Sequence, residues 1–112
     1  MVDESVIAAI REYLRVVRDN GFEVSFAVVF GSQAQGRADK WSDIDLLVVS
    51  PHFDGPRTRQ DVETLWLLAA RVDNRIEPIP CGLQQWQDDQ SSAIVEIARR
   101  EGERVEPQLT PH

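Results

Sequence analysis

The stretch Phe30–Ser50, FGSQAQGRADKWSDIDLLVVS, decides how this chain reads. A hydrophobic run stops at Gly31-Ser32, a polar stretch intervenes, and hydrophobicity resumes straight after Asp43 and Asp45. Residues two apart in a strand project to the same face, so both carboxylates point together while Ile44 faces the other way. Two close carboxylates repel, and the mouth of an apolar strand solvates them poorly. Set there, they make a site for a hard divalent cation such as Mg²⁺, which takes one or two carboxylates and completes its octahedron with water and phosphate oxygens. Taken alone, an Asp-x-Asp is more often a strand-end cap beside a solvent-facing residue. Gly31-Ser32 has the same two sides. The glycine permits positive φ and close ligand approach, and a serine opening a short helix is an anion cradle, yet the pair also makes an ordinary strand-to-helix turn. The combination says more than its parts. Ten residues separate the two elements, which meet at one sheet edge, so a phosphate held at Ser32 would lie beside a metal held at Asp43 and Asp45. Phosphoryl transfer needs that pairing.

Working outward, Asp3–Asn20 carries Val6, Ile7, Ile10, Leu14 and Val17 at helical spacing, with Asp3 or Ser5 as N-cap and Asn20-Gly21 as stop. Val24–Phe30 reads as a strand buried on both faces. Ser32 caps a short helix through Gln35, broken at Gly36. Asp43–Val49 is the second strand, and PHFDGP is a loop. Thr58–Val72 predicts a helix with Val62, Leu65, Trp66, Ala69 and Val72 facing the core. Arg75–Ile79 is a third strand, placed at an edge because Pro78 interrupts it. Pro80–Gln87 reads as irregular, with Trp86 as a mark of a partner surface. Ser91-Ser92 then cap a helix bearing Ile94, Val95, Ile97 and Ala98, with Arg99 and Arg100 suited to its C-terminal dipole and Gly102 ending it. The order α-β-α-β-α-β-α gives an α/β fold, a small mixed sheet flanked by helices, over residues 1–105, with a flexible tail at 106–112.

Composition narrows the function. A chain of 112 residues makes one domain. No apolar run approaches the roughly 20 residues of a membrane span, and the acidic, charge-broken N-terminus resembles neither a signal nor a transit peptide. One cysteine, Cys81, excludes an internal disulfide and suits a reducing cytoplasm. A net charge of −7 argues against a sequence-independent grip on nucleic acid. His52, His112 and Cys81 have no ligand-spaced companions. Arg37 and Lys40 either touch phosphate or sit solvated in the loop, and Trp41 either stacks on a base or packs beside the strand.

GSQAQGRADKWSDIDLLVV resembles the signature of the nucleotidyltransferase superfamily that includes DNA polymerase beta, and more closely the minimal nucleotidyltransferases of bacteria and archaea. The resemblance covers nearly the whole chain, from the strand before Gly31 to the helix ending in RREG. It implies the nucleotidyltransferase fold and transfer of a nucleoside monophosphate, AMP from ATP, to a hydroxyl with two Mg²⁺ ions. By position, Gly31 and Ser32 would hold phosphates, with Arg37 beside them, and Asp43 and Asp45 would bind both metals. The third, catalytic carboxylate would be Glu77 in RIEPIP, one methylene longer than the usual aspartate. Minimal nucleotidyltransferases also pair with helical HEPN toxins as antitoxins, some adenylylating a toxin tyrosine, so a HEPN-type partner and a homo- or hetero-oligomer are implied. The alternative is a non-catalytic binding antitoxin with a degenerate site. Transfer to a small molecule is disfavoured by the short chain.

Overall fold

The computed structural model describes residues 2–34, 36, 42–88 and 92–107. Helix α1 spans Glu4–Asp19 and starts where the sequence offers a cap: the Asp3 carboxylate accepts from the Ser5 amide at 2.8 Å and the Ser5 hydroxyl at 2.7 Å. It ends on Asn20, whose side chain donates to the Val16 carbonyl, and on Gly21 at φ 96°. Its apolar stripe buries Val6, Ile10, Tyr13, Leu14 and Val17. Each aliphatic burial of this kind contributes about 1.5–3 kcal/mol.

Strands β1 (Phe26–Phe30), β2 (Ile44–Val49), β3 (Ile76–Cys81) and β4 (Glu103–Val105) form one sheet in the order β3-β2-β1-β4. β1 runs antiparallel to β2 and β4, and β2 parallel to β3. Alternation splits the side chains cleanly. Ala27, Val29, Ile44, Leu46, Val48 and Ile76 meet α1 and α2 (Arg59–Val72), whereas Phe26, Val28, Leu47, Val49 and Cys81 meet α4 (Ala93–Glu101) and the short α3 (Leu83–Asp88). Both faces of the sheet are covered, as the unbroken apolar runs of β1 and β2 require. Tyr13 ties the two helices of one face together, its buried hydroxyl donating to the Leu65 carbonyl at 2.9 Å. Burial pushes that phenol well above its usual range.

Five expectations need correction. Residues 31–34 and 36 form turns, not a helix. The PHFDGP loop opens with a 3-10 turn, Pro51–Asp54. Trp66 is 45% exposed and Leu68 takes its place in the core, because the apolar run Leu65–Ala70 leaves several helical facings open and the packing with α1 and β3 selects one. Pro80–Gln87 is ordered: β3 continues to Cys81, and α3 follows. Trp86 then packs inward, edge-on to Phe26 at 5.6 Å, with the Arg99 guanidinium over its ring, instead of marking a surface. β4 is an addition that the sequence reading did not contain.

β3 is the edge strand expected, and its prolines fit for a specific reason. In a parallel ladder alternate residues face a given neighbour. The Arg75 and Cys81 carbonyls accept from Ile44 and Ser50, so odd positions turn towards β2. Pro78 and Pro80 therefore sit on the outward side, where a missing N–H costs nothing and blocks pairing with another strand. Among the described residues no helix is long and apolar enough to cross a membrane.

Candidate functional site

The register places the acidic residues side by side. Asp45 lies opposite Phe30 on β1 and opposite Glu77 on β3, giving a row Phe30–Asp45–Glu77 across one end of the sheet. Asp45 shares parity with Leu47, and Glu77 with Ile79, so both carboxylates rise from the face that α3 and α4 cover further along. Asp43 stands one step before β2 and is exposed, while Asp45 and Glu77 are half-buried.

The backbone on either side fixes this arrangement. Asp73, just beyond α2, accepts from the Arg75 amide, Nε and Nη2, the last at 2.7 Å. The Arg75 guanidinium accordingly holds the Asp73 carboxyl below its ordinary range. The Arg75 carbonyl then accepts from Ile44, between the two aspartates, at 2.8 Å. The start of β3 is thus bonded to the start of β2, which sets Glu77 level with Asp45.

Gly31 closes the site from β1. Its φ is +75°, a left-handed value that favours glycine, and a Cβ there would come within 2.6 Å of Asp45 Oδ2. The Gly31–Ser32 turn is therefore packed directly against a carboxylate, with no room for a side chain. Gln33 is the member of this turn that the sequence reading missed. Its side chain is only 5% exposed, and Nε2 donates to the carbonyls of Ser42 at 3.2 Å and Asp43 at 3.4 Å. Reading 32–35 as a helix sends Gln33 to solvent; a polar residue inside a Gly-Ser-x-Ala turn was the available signal.

Electrostatics sharpen the picture. Burial first, then the Asp43 charge, then a hydrogen bond and charge from Asp45, raise the Glu77 carboxyl above its ordinary value. Both aspartates thus act on Glu77, and a cation would relieve that repulsion. The donor set is all carboxylate, which suits a hard ion such as Mg²⁺ and not a thiophilic one. Among the described residues no three Asp, Glu, His or Cys side chains come together as a metal-holding group; Asp43 is exposed beside the row of Asp45 and Glu77.

Arg37, Lys40, Trp41 and His112 lie outside the described residues. His52 and Cys81 stand apart from the site. His52 Nε2 meets Asp61 at 3.1 Å with its ring edge-on to Phe22 and Phe53, and Cys81 is buried, its thiol donating to the Gly82 carbonyl.

Comparison with known proteins bears on the family and the fold. The family model described as a nucleotidyltransferase domain matches residues 10–100. No curated protein matches the sequence. Among solved structures, a candidate nucleotidyltransferase from Sulfolobus solfataricus superposes with a TM-score of 0.61 at 15% identity, covering 88% of this chain and 77% of that one. A toxin–antitoxin structure with AMP-PNP gives 0.59 at 19% identity, covering 88% and 73%. A variant of the toxin–antitoxin MntA-HpeT, carrying two aspartate-to-glutamate changes two positions apart, gives 0.57 at 18%, covering 87% and 72%.

Proposed function

The chain belongs to the nucleotidyltransferase domain family over residues 10–100, and from that premise we propose that it transfers a nucleoside monophosphate, AMP from ATP, to a hydroxyl acceptor. The observation that carries the reading is the row of Asp45 and Glu77, with Asp43 acting on it, packed against the Gly31–Ser32 turn.

In this reading the Gly31 backbone and the Ser32 hydroxyl bind the triphosphate, with Arg37 as a further phosphate contact. Asp43, Asp45 and Glu77 hold Mg²⁺, two ions in the full site, which when bound neutralises phosphate charge and activates the acceptor oxygen. The acceptor oxygen bonds to the α-phosphorus, the bond to the β-phosphate oxygen breaks, and pyrophosphate leaves. Glu77, level with Asp45 on the neighbouring strand, is the group assigned to take the departing hydroxyl proton.

The acceptor is proposed to be a tyrosine of a HEPN-type helical partner, with this protein as the antitoxin. The toxin–antitoxin complexes among the similar structures support that choice, as does the match between Asp43-x-Asp45 and the spacing of the two altered aspartates in MntA-HpeT. The net charge of −7 suits a more basic partner. A second reading, neutralisation by contact alone, draws on the exposed Trp66, Leu67, Ile94 and Ile97. ATP labelled at the α-phosphate, Mg²⁺ and the co-expressed neighbouring protein provide the test. Label on the neighbour supports transfer, and neutralisation without label favours contact alone.

A further inference from the structure

We infer that Gln33 is a positioning residue of this site, one that orients Asp43 by clamping the two peptide groups on either side of it. The inference rests on the transferase reading above. The Asp43 side chain is directed by its own φ and ψ, which the flanking peptides define. One of them ends in the Ser42 carbonyl and the other in the Asp43 carbonyl, and Gln33 Nε2 donates to both. The second peptide is also held from its far side, because the Ile44 amide donates to the Arg75 carbonyl. The strand ladder does not reach this far: pairing of β2 with β1 begins at Asp45. Asp43 is exposed and stands outside β2, so Gln33 supplies an orientation that the sheet leaves open.

The amide end of Gln33 has one sensible orientation. Both partners are carbonyl oxygens, and only the –NH₂ group can face them. Apart from the Tyr13 hydroxyl, Gln33 and Ser50 are the buried polar side chains among the described residues, and Ser50 is committed to structure, donating to the Glu23 carbonyl and accepting from the His52 amide. Burying an amide is costly unless its hydrogen bonds are made. Here they are made to the one segment that carries an acid of the site.

Manganese binding by electron paramagnetic resonance, with a non-hydrolysable triphosphate analogue present, tests this on the full chain. Gln33→Met keeps the length and removes the donors; Gln33→Glu keeps the shape and sets a carboxylate against two carbonyl oxygens. Both are expected to weaken Mn²⁺ by about tenfold or more, Glu the more strongly, in line with loss of a group that orients a ligand. In turnover, kcat falls while KM for the triphosphate stays near wild type. Either variant that melts cooperatively suffices. Wild-type Mn²⁺ affinity in a folded variant, whatever its melting temperature, overturns the inference and reduces Gln33 to a loop staple. Absence of Mn²⁺ binding in the wild-type protein overturns the transferase reading itself, and this inference with it.

Discussion

The two ends of the sheet use the same residue types to opposite effect. At one end, Gly82 faces Asp54 so closely that a Cβ would meet its carboxylate, and Asp54 accepts from the Gln84 and Gln85 amides at the start of α3. Ser50 beside it donates to Glu23 and caps the 3-10 turn. At the other end Gly31 faces Asp45 in the same way, but the groups that act on the next acid, Glu77, are two further carboxylates. A carboxylate matched to backbone N–H groups is spent on structure. Carboxylates set against one another hold charge that a cation can use. The glycine–carboxylate contact alone does not mark a site; its electrostatic surroundings do.

That contrast can be broken by substitution. The largest effect is expected from Asp45→Asn, which removes a central acid from the row. AMP transfer is expected to fall by more than about 100-fold with the fold intact, measured as label incorporation beside a thermal melt. Retained transfer with retained Mg²⁺ dependence breaks the contrast. Gly31→Ala comes next, forcing a side chain at φ +75° against Asp45 Oδ2. It is expected to cost about 1–2 kcal/mol of stability from the backbone conformation and to abolish triphosphate binding. Asp54→Ala at the other end removes helix-capping contacts and is expected to cost about 1 kcal/mol in denaturant unfolding, with transfer unchanged.

The smallest effect is on stability at the site itself. Glu77 binds its proton more tightly in the folded protein than in the unfolded chain, so its ionised form weakens the fold above the folded pKa. That penalty is lost as pH falls below the ordinary glutamate value of 4.5. Glu77→Gln is therefore expected to melt above wild type at neutral pH, with the gap closing as pH approaches 4, while transfer is lost. A gap that widens on acidification contradicts the assignment of Glu77 to the acidic row.

Much of this was legible in residue order. Helix α1 follows from its spacing and Asp3 cap, and β1 and β2 from apolar runs too continuous for a one-sided sheet. The union of Gly31-Ser32 with Asp43 and Asp45 followed from their placement at the ends of neighbouring strands. What escaped notice depends on partners distant in sequence. Helix α3, LQQWQD, has no apolar period of its own and is capped by Asp54, some thirty residues earlier. β4 is three residues long and exists through pairing with β1. Trp66 and Leu68 differ by tertiary contact alone. The spacing predicts a helix for Gln33, and its role becomes visible only when the turn folds back on Ser42 and Asp43.

A crystal structure with Mg²⁺ and a non-hydrolysable ATP analogue tests the central claim most directly. The account predicts metal bridging Asp43, Asp45 and Glu77 to phosphate oxygens seated on the Gly31–Ser32 turn. Nucleotide bound elsewhere, or metal held without those carboxylates, would contradict it.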